Sequence, residues 1–141
     1  MKKNIVILLL LASFGLISGC AKKYDPENPI VGLWVLDTQE SVANQNIVTF
    51  HRATKFDKDK PGYQIIADGS LVSHQNSSDC GTPPIAYEKA QGDWARNNNA
   101  FTINGNFWGG TYTIQYEINQ LNANKLQLKQ VSSKYNYSIE L

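Results

Sequence analysis

Tyr112-Thr113-Ile114-Gln115-Tyr116-Glu117-Ile118-Asn119 alternates without a break: Tyr112, Ile114, Tyr116 and Ile118 fall on one side, Thr113, Gln115, Glu117 and Asn119 on the other. Successive side chains of an extended strand leave opposite faces, so one face here meets an interior and the other meets water. That is the pattern of an antiparallel sheet wetted on one side. Asn122-Ala123-Asn124 reads as a turn, and Leu126-Gln127-Leu128-Lys129 resumes the alternation. After Ser132-Ser133-Lys134 a last strand is predicted, with Tyr135, Tyr137, Ile139 and Leu141 on one face, so that three sequential strands form a meander.

Upstream of this block the same signal recurs between turn clusters, and no stretch carries a helical period. Gly92–Ala95 and Ala100–Ile103 are short strands around Asn97-Asn98-Asn99. Asp68-Gly69 predicts a two-residue type I′ hairpin that sets Ile66 opposite Leu71 and Ile65 opposite Val72. Val48, Phe50, Thr54 and Phe56 share a face of a strand over 46–56, interrupted by Arg52, and Ile30–Asp37 supplies the first strand. About nine candidates at roughly ten-residue spacing predict an all-β domain over 30–141. A single antiparallel up-and-down barrel of about eight or nine strands is expected, with a sandwich as the alternative.

The beginning of the chain has a different character. Lys2 and Lys3 precede an apolar run from Ile5 to Ile17, and Ser18-Gly19 then supply small residues before Cys20. The run is shorter than the ~20 apolar residues that span a bilayer core, so a cleaved leader over 1–19 is expected rather than a permanent transmembrane helix. Ile17-Ser18-Gly19-Cys20 resembles the lipobox of bacterial lipoproteins. That resemblance implies a diacylglyceryl-modified Cys20 as the first mature residue, and residues 20–29, with Pro26 and Pro29, as a tether. Ala21 and Lys22 lack the aspartate that retains many such lipoproteins at the inner membrane, which implies the outer one.

Loss of the leader removes two of 13 basic side chains and leaves 11 against 12 acidic ones, a net charge of −1 over 122 residues. This is the size of one domain. The basic residues are scattered, which excludes a nucleic-acid stripe. Lys22 and Lys23 are too few for a polybasic membrane anchor. With Cys20 lipidated, Cys80 has no disulfide partner, and no second cysteine at CxxC spacing gives it a redox role.

Gly32-Leu33-Trp34 on the first strand matches the Gly-x-Trp signature of lipocalins. The order that follows resembles small lipocalin-like lipoproteins: the Asp68-Gly69 hairpin, the Trp94 strand, Phe101-Thr102-Ile103, then 112–119 and 125–131. The resemblance spans about residues 30–131 and implies a barrel whose Trp34 closes one end beneath a late, stacking arginine. The chain departs there, because its only arginines are Arg52 and Arg96 and neither follows the last long strands. A Thr-Asp-Tyr-like turn, the second lipocalin signature, is absent as well.

The chemistry-bearing residues form no recognisable catalytic set. His51 and His74 have no nucleophile motif around them, His74 and Cys80 leave a zinc site two ligands short, and the carboxylates are dispersed. Gly105-Asn106-Phe107-Trp108-Gly109-Gly110 lacks the lysine and strand–helix context of a phosphate loop. No enzyme, cofactor or metal is therefore expected. The segment instead places two large apolar side chains on a predicted bend, where they either cover the core or stand out as a contact patch. In a hollow barrel, Trp94, Tyr112 and Tyr116 would line the interior and Phe107 and Trp108 would gate it, around a small apolar or amphipathic ligand. The alternative is an inhibitor or immunity-type protein that grips a partner protein with the Phe107-Trp108 and 76–84 loops.

Overall fold

The computed structural model describes residues 27–77 and 85–138. Eight strands form a closed antiparallel barrel: β1 (Gly32–Val42), β2 (Gln45–Ala53), β3 (Gly62–Ile65), β4 (Ser70–Asn76), β5 (Tyr87–Asn97), β6 (Ala100–Phe107), β7 (Gly110–Leu121) and β8 (Lys125–Tyr137). This is the expected barrel and not the sandwich. Strands β3 to β8 are a meander, and the β1–β2 hairpin closes the ring with β1 beside β3 and β2 beside β8.

That closure departs from strict up-and-down order at one place, and the chain shows how. From β2 to β3 it must pass β1, and residues 54–61 do so along the barrel's outer wall. Leu36 N–H donates to Pro61 O at 2.9 Å, and Val35, on the wall opposite the inward Trp34, is only 1% exposed. Phe56 of this strap stacks on His74 at 4.9 Å, and His74 Nδ1 lies 2.9 Å from Lys60 O. Thr54 and Phe56 therefore belong to the strap rather than to the predicted 46–56 strand, which ends at Ala53.

Inward residues of all eight strands meet in one core. Trp34, Ile65, Leu71, Phe101, Ile103, Leu126 and Leu128 are buried completely or nearly so, with Phe50, Tyr116 and Ile118 close behind. The β7 alternation is as predicted: Tyr112, Tyr116 and Ile118 are buried and Gln115 and Glu117 are exposed. The expected third strand of the terminal meander is instead the second half of β8. Gln115 pairs with Ser132 but Tyr116 with Gln130, so Val131 bulges outward and the inward set changes phase from Leu126 and Leu128 to Tyr135 and Tyr137. A change of phase in the alternation marked a bulge and not a turn. Ile139 and Leu141 lie outside the described residues.

Two hairpins also differ from expectation. At Asp68-Gly69 the pairing is shifted by one residue and the loop is one residue longer, with Ile65 opposite Leu71 and Gln64 opposite Val72. Of the pair only Gly69 has a positive φ (91°), while Asp68 Oδ1 accepts from Ser70 N–H at 2.9 Å. The loop is thus a three-residue turn ending in a left-handed glycine, and its register turns Ile65 and Leu71 into the core together. The other hairpin was not predicted. β1 runs on to Val42 and turns at Ala43-Asn44, both at positive φ (48° and 65°). Alanine gains nothing there to offset its Cβ crowding. Ala43→Gly is expected to stabilise the domain by about 1 kcal/mol, read as a rise of a few degrees in melting temperature.

Candidate functional site

The two ends of the barrel are built differently. At the end where β1 begins, Trp34 is fully buried and its indole N–H donates to Ile30 O at 2.7 Å. Arg52, its cross-strand partner on β2, lays its guanidinium over the indole at 4.2 Å. The same guanidinium donates to Val31 O (2.9 Å), Pro29 O (2.5 Å) and, from the β7–β8 turn, Ala123 O (2.5 Å). Gly32, at φ +144°, lies directly against the guanidinium, and a Cβ there would collide with it. The Gly32-x-Trp34 spacing thereby gains a physical meaning: the glycine leaves room for the cation that stacks on the tryptophan. The arginine the resemblance called for comes from β2 and not from a late strand. With Ile30 fully buried beneath it, this end is shut.

The opposite end holds a cavity of about 300 Å³, at the lower bound of the range for ligand pockets. Phe107, Trp108, Tyr112 and Tyr135 line it together with Ile114, one inward step further along β7 than Tyr112, and Tyr63, Gln75 and Asn76 complete the wall. Phe107 is the hub of the rim. Its ring meets Trp108, Tyr135 and Tyr137 edge-on, with centroids 5.6–6.3 Å apart and interplanar angles of 80–89°. Trp108 and Tyr137 remain 68% and 67% exposed, a contact patch at the mouth rather than a cover over the core. The predicted bend is shorter than expected, because Gly105 to Phe107 belong to β6 and the turn is Trp108-Gly109 alone.

Beneath the apolar rim lies a polar layer. Tyr63 and Tyr116 share a side-chain hydrogen bond, and so do Tyr112 and Ser73. Ser73 Oγ continues to Gln75 Oε1 at 3.3 Å, and Gln75 Nε2 donates to Asn106 O at 2.7 Å. Burial disfavours the phenolates, raising Tyr112 and Tyr63 above their ordinary value and Tyr116 to about 12. The fold therefore holds these groups neutral. A raised folded-state pKa contributes stability that is complete below pH 10 and is lost as pH climbs through about 12. The Tyr116 share is roughly 3 kcal/mol. Melting temperature is accordingly expected to hold steady up to about pH 10 and fall steeply beyond, less steeply in Tyr116→Phe.

Of the residues singled out in the sequence, Phe107, Trp108 and Tyr112 come together at the mouth. Tyr116 sits below the cavity, 6% exposed, with its ring 6.4 Å from Phe101. Trp94 is at the shut end, where its backbone N–H donates to Gly69 O and its indole to Ile66 O at 2.8 Å. It borders a different depression, with Asn28 and Asp68, and takes no part in the mouth. Cys20, Cys80 and most of the 76–84 loop lie outside the described residues. Tyr63, Gln75, Ile114 and Tyr135 escaped the sequence reading of the site. Ile114 and Tyr135 carried a usable signal, since they share the inward phase of Tyr112. Among the described residues the barrel is thus filled toward the shut end and open at the mouth.

A family model described as a lipocalin-like domain matches residues 30–128. No curated protein and no solved structure matches the chain significantly. The matched span runs from the buried Ile30 through seven strands into β8, and includes Gly32, Trp34 and the arginine that stacks on it. On that match, and on the closed eight-stranded barrel, the chain belongs to the family of lipocalin-like domains.

Proposed function

We propose that the domain binds a small apolar or amphipathic ligand in the open mouth of the barrel, while a lipidated Cys20 tethers it to a bacterial membrane, the outer one by its Ala21-Lys22 sequence. The observation that carries the binding role is the cavity of about 300 Å³, walled by aromatic rings above a filled core. An apolar molecule seated there loses water contact over most of its surface and stabilises the folded state by mass action. The role is binding and not catalysis. A thermal-shift screen of small apolar molecules, run in parallel on Ile114→Trp, tests it. Ligands should raise the melting temperature of the parent, and the variant, whose indole fills the mouth, should lose the shift. No shift for any compound in the parent would end the reading. The tether is tested by fractionation: Cys20→Ser should move the protein from membrane to soluble fractions, and an unchanged distribution would refute the anchor.

A second reading has its own observation. Trp108, Tyr137 and Tyr135 are 68%, 67% and 49% exposed on one rim, the kind of aromatic patch that anchors a partner protein. An inhibitor or immunity-type role would leave the melting temperature indifferent to small molecules and lose partner binding in Trp108→Ala.

A further inference from the structure

The ligand class can be read from what the mouth offers and what it lacks. Among the described residues lining the cavity none is charged. The ion pair between β7 and β8, Glu117 with Lys129, belongs to the outward set and not to the cavity. A carboxylate or ammonium driven into the mouth would surrender its hydration and meet no opposite charge, a cost that neutral molecules avoid. The walls are rings whose edges and faces are turned to one another at the rim, and they favour a flat aromatic guest over a flexible chain, which would lose more conformational freedom. The volume sets the size. A cavity of about 150 Å³ accommodates benzene, so about 300 Å³ suits two fused rings. In the cavity wall the phenol of Tyr112, bonded to Ser73 and through it to Gln75, can exchange one of its bonds with a hydroxyl or carbonyl.

Resting on the mouth as the binding site, we propose that its ligands are uncharged, planar, bicyclic aromatic molecules bearing one hydroxyl or carbonyl that joins the Tyr112–Ser73–Gln75 chain. Fatty acids and aromatic acids, as anions, are expected to bind more weakly.

The test compares four probes of matched size on the full domain at pH 7: 2-naphthol, naphthalene, 2-naphthoate and decanoate, each followed by calorimetric titration and thermal shift. 2-Naphthol should bind best, at least tenfold tighter than 2-naphthoate or decanoate and several-fold tighter than naphthalene. Tyr112→Phe keeps the ring and removes the hydroxyl, so it should erase the advantage of naphthol over naphthalene. Trp108→Lys, which sets a cation on the exposed rim and leaves the core untouched, should raise naphthoate affinity. Tighter binding of naphthoate or decanoate to the parent would overturn the class while leaving the mouth as a binding site. Equal binding of naphthol and naphthalene would overturn the hydrogen-bonding part. Silence from all four probes would overturn the class together with the site itself.

Discussion

Tyr116→Asp is expected to abolish the cooperative melting transition, whereas Gln115→Asp, one residue away, should lower stability by less than about 0.5 kcal/mol. Tyr116 is 6% exposed, stacks near Phe101 and is hydrogen-bonded to Tyr63. Truncating a buried aromatic costs about 3–5 kcal/mol through the cavity it leaves. The new carboxylate adds a buried charge without a cation, and Tyr63 loses its partner. Together these reach the whole stability of an ordinary domain, about 5–15 kcal/mol. Gln115 faces water, and its contact, Ser132 Oγ donating to Oε1 at 2.9 Å, survives with an aspartate oxygen as acceptor. Tyr116→Phe separates the parts, since it should lose only about 1–2 kcal/mol for the hydrogen bond. Urea titrations of the three variants provide the comparison, and equal losses at 115 and 116 would mean that the faces are misassigned.

Arg52→Ala is expected to cost about 3–4 kcal/mol, unusually much for a side chain at a barrel end. The guanidinium accounts for three carbonyls at once, those of Pro29, Val31 and Ala123, and covers the Trp34 indole. Charge-assisted bonds of this kind and a shielded cation–π contact each contribute about 1–2 kcal/mol. The sum is discounted because Arg52 is only partly buried and water reaches some of the freed acceptors. Arg52→Lys should recover less than half, because an ammonium has no planar face to stack and cannot fork to three acceptors. If alanine and lysine melt alike and within 1 kcal/mol of the parent, the clasp contributes nothing.

The fold was legible because its strands are mostly wet on one face. β7 could be read residue by residue, and the Trp94 and Phe101 strands were placed correctly around their turn. Legibility failed where backbone conformation and side-chain chemistry disagreed. Ala43 in a left-handed turn offers no sequence cue, so the first hairpin went unseen and the first strand was expected to end at Asp37. The bulge at Val131 looked like a chain reversal because a bulge and a turn both shift the phase. Arg52 appeared as an interruption of an apolar face, and nothing local announces that a cation inside that face will find an indole opposite it. The candidate site divides the same way. Phe107, Trp108 and Tyr112 stood out through their own neighbourhoods. Tyr63 and Gln75 reach the mouth only through the pairings β3–β4 and β1–β3, which no short window of sequence contains.

The Arg52 clasp also bears on the order of events during folding. It joins residues 71 apart, Arg52 and Ala123, and the neighbouring β2–β8 pairing sets Ile47 against Lys129. Contacts so distant along the chain close large loops and slow the search, so this barrel belongs among the slow folders. The β3–β8 meander grows by neighbouring hairpins and needs neither end of the ring, which leaves the seam between β2 and β8 as the final join. A clasp on that seam is expected to form only after the transition state. Its removal should therefore leave the refolding rate nearly unchanged and appear almost entirely as faster unfolding. The guanidinium is then a latch on the lifetime of the folded protein, setting how long the barrel stays shut once it has closed.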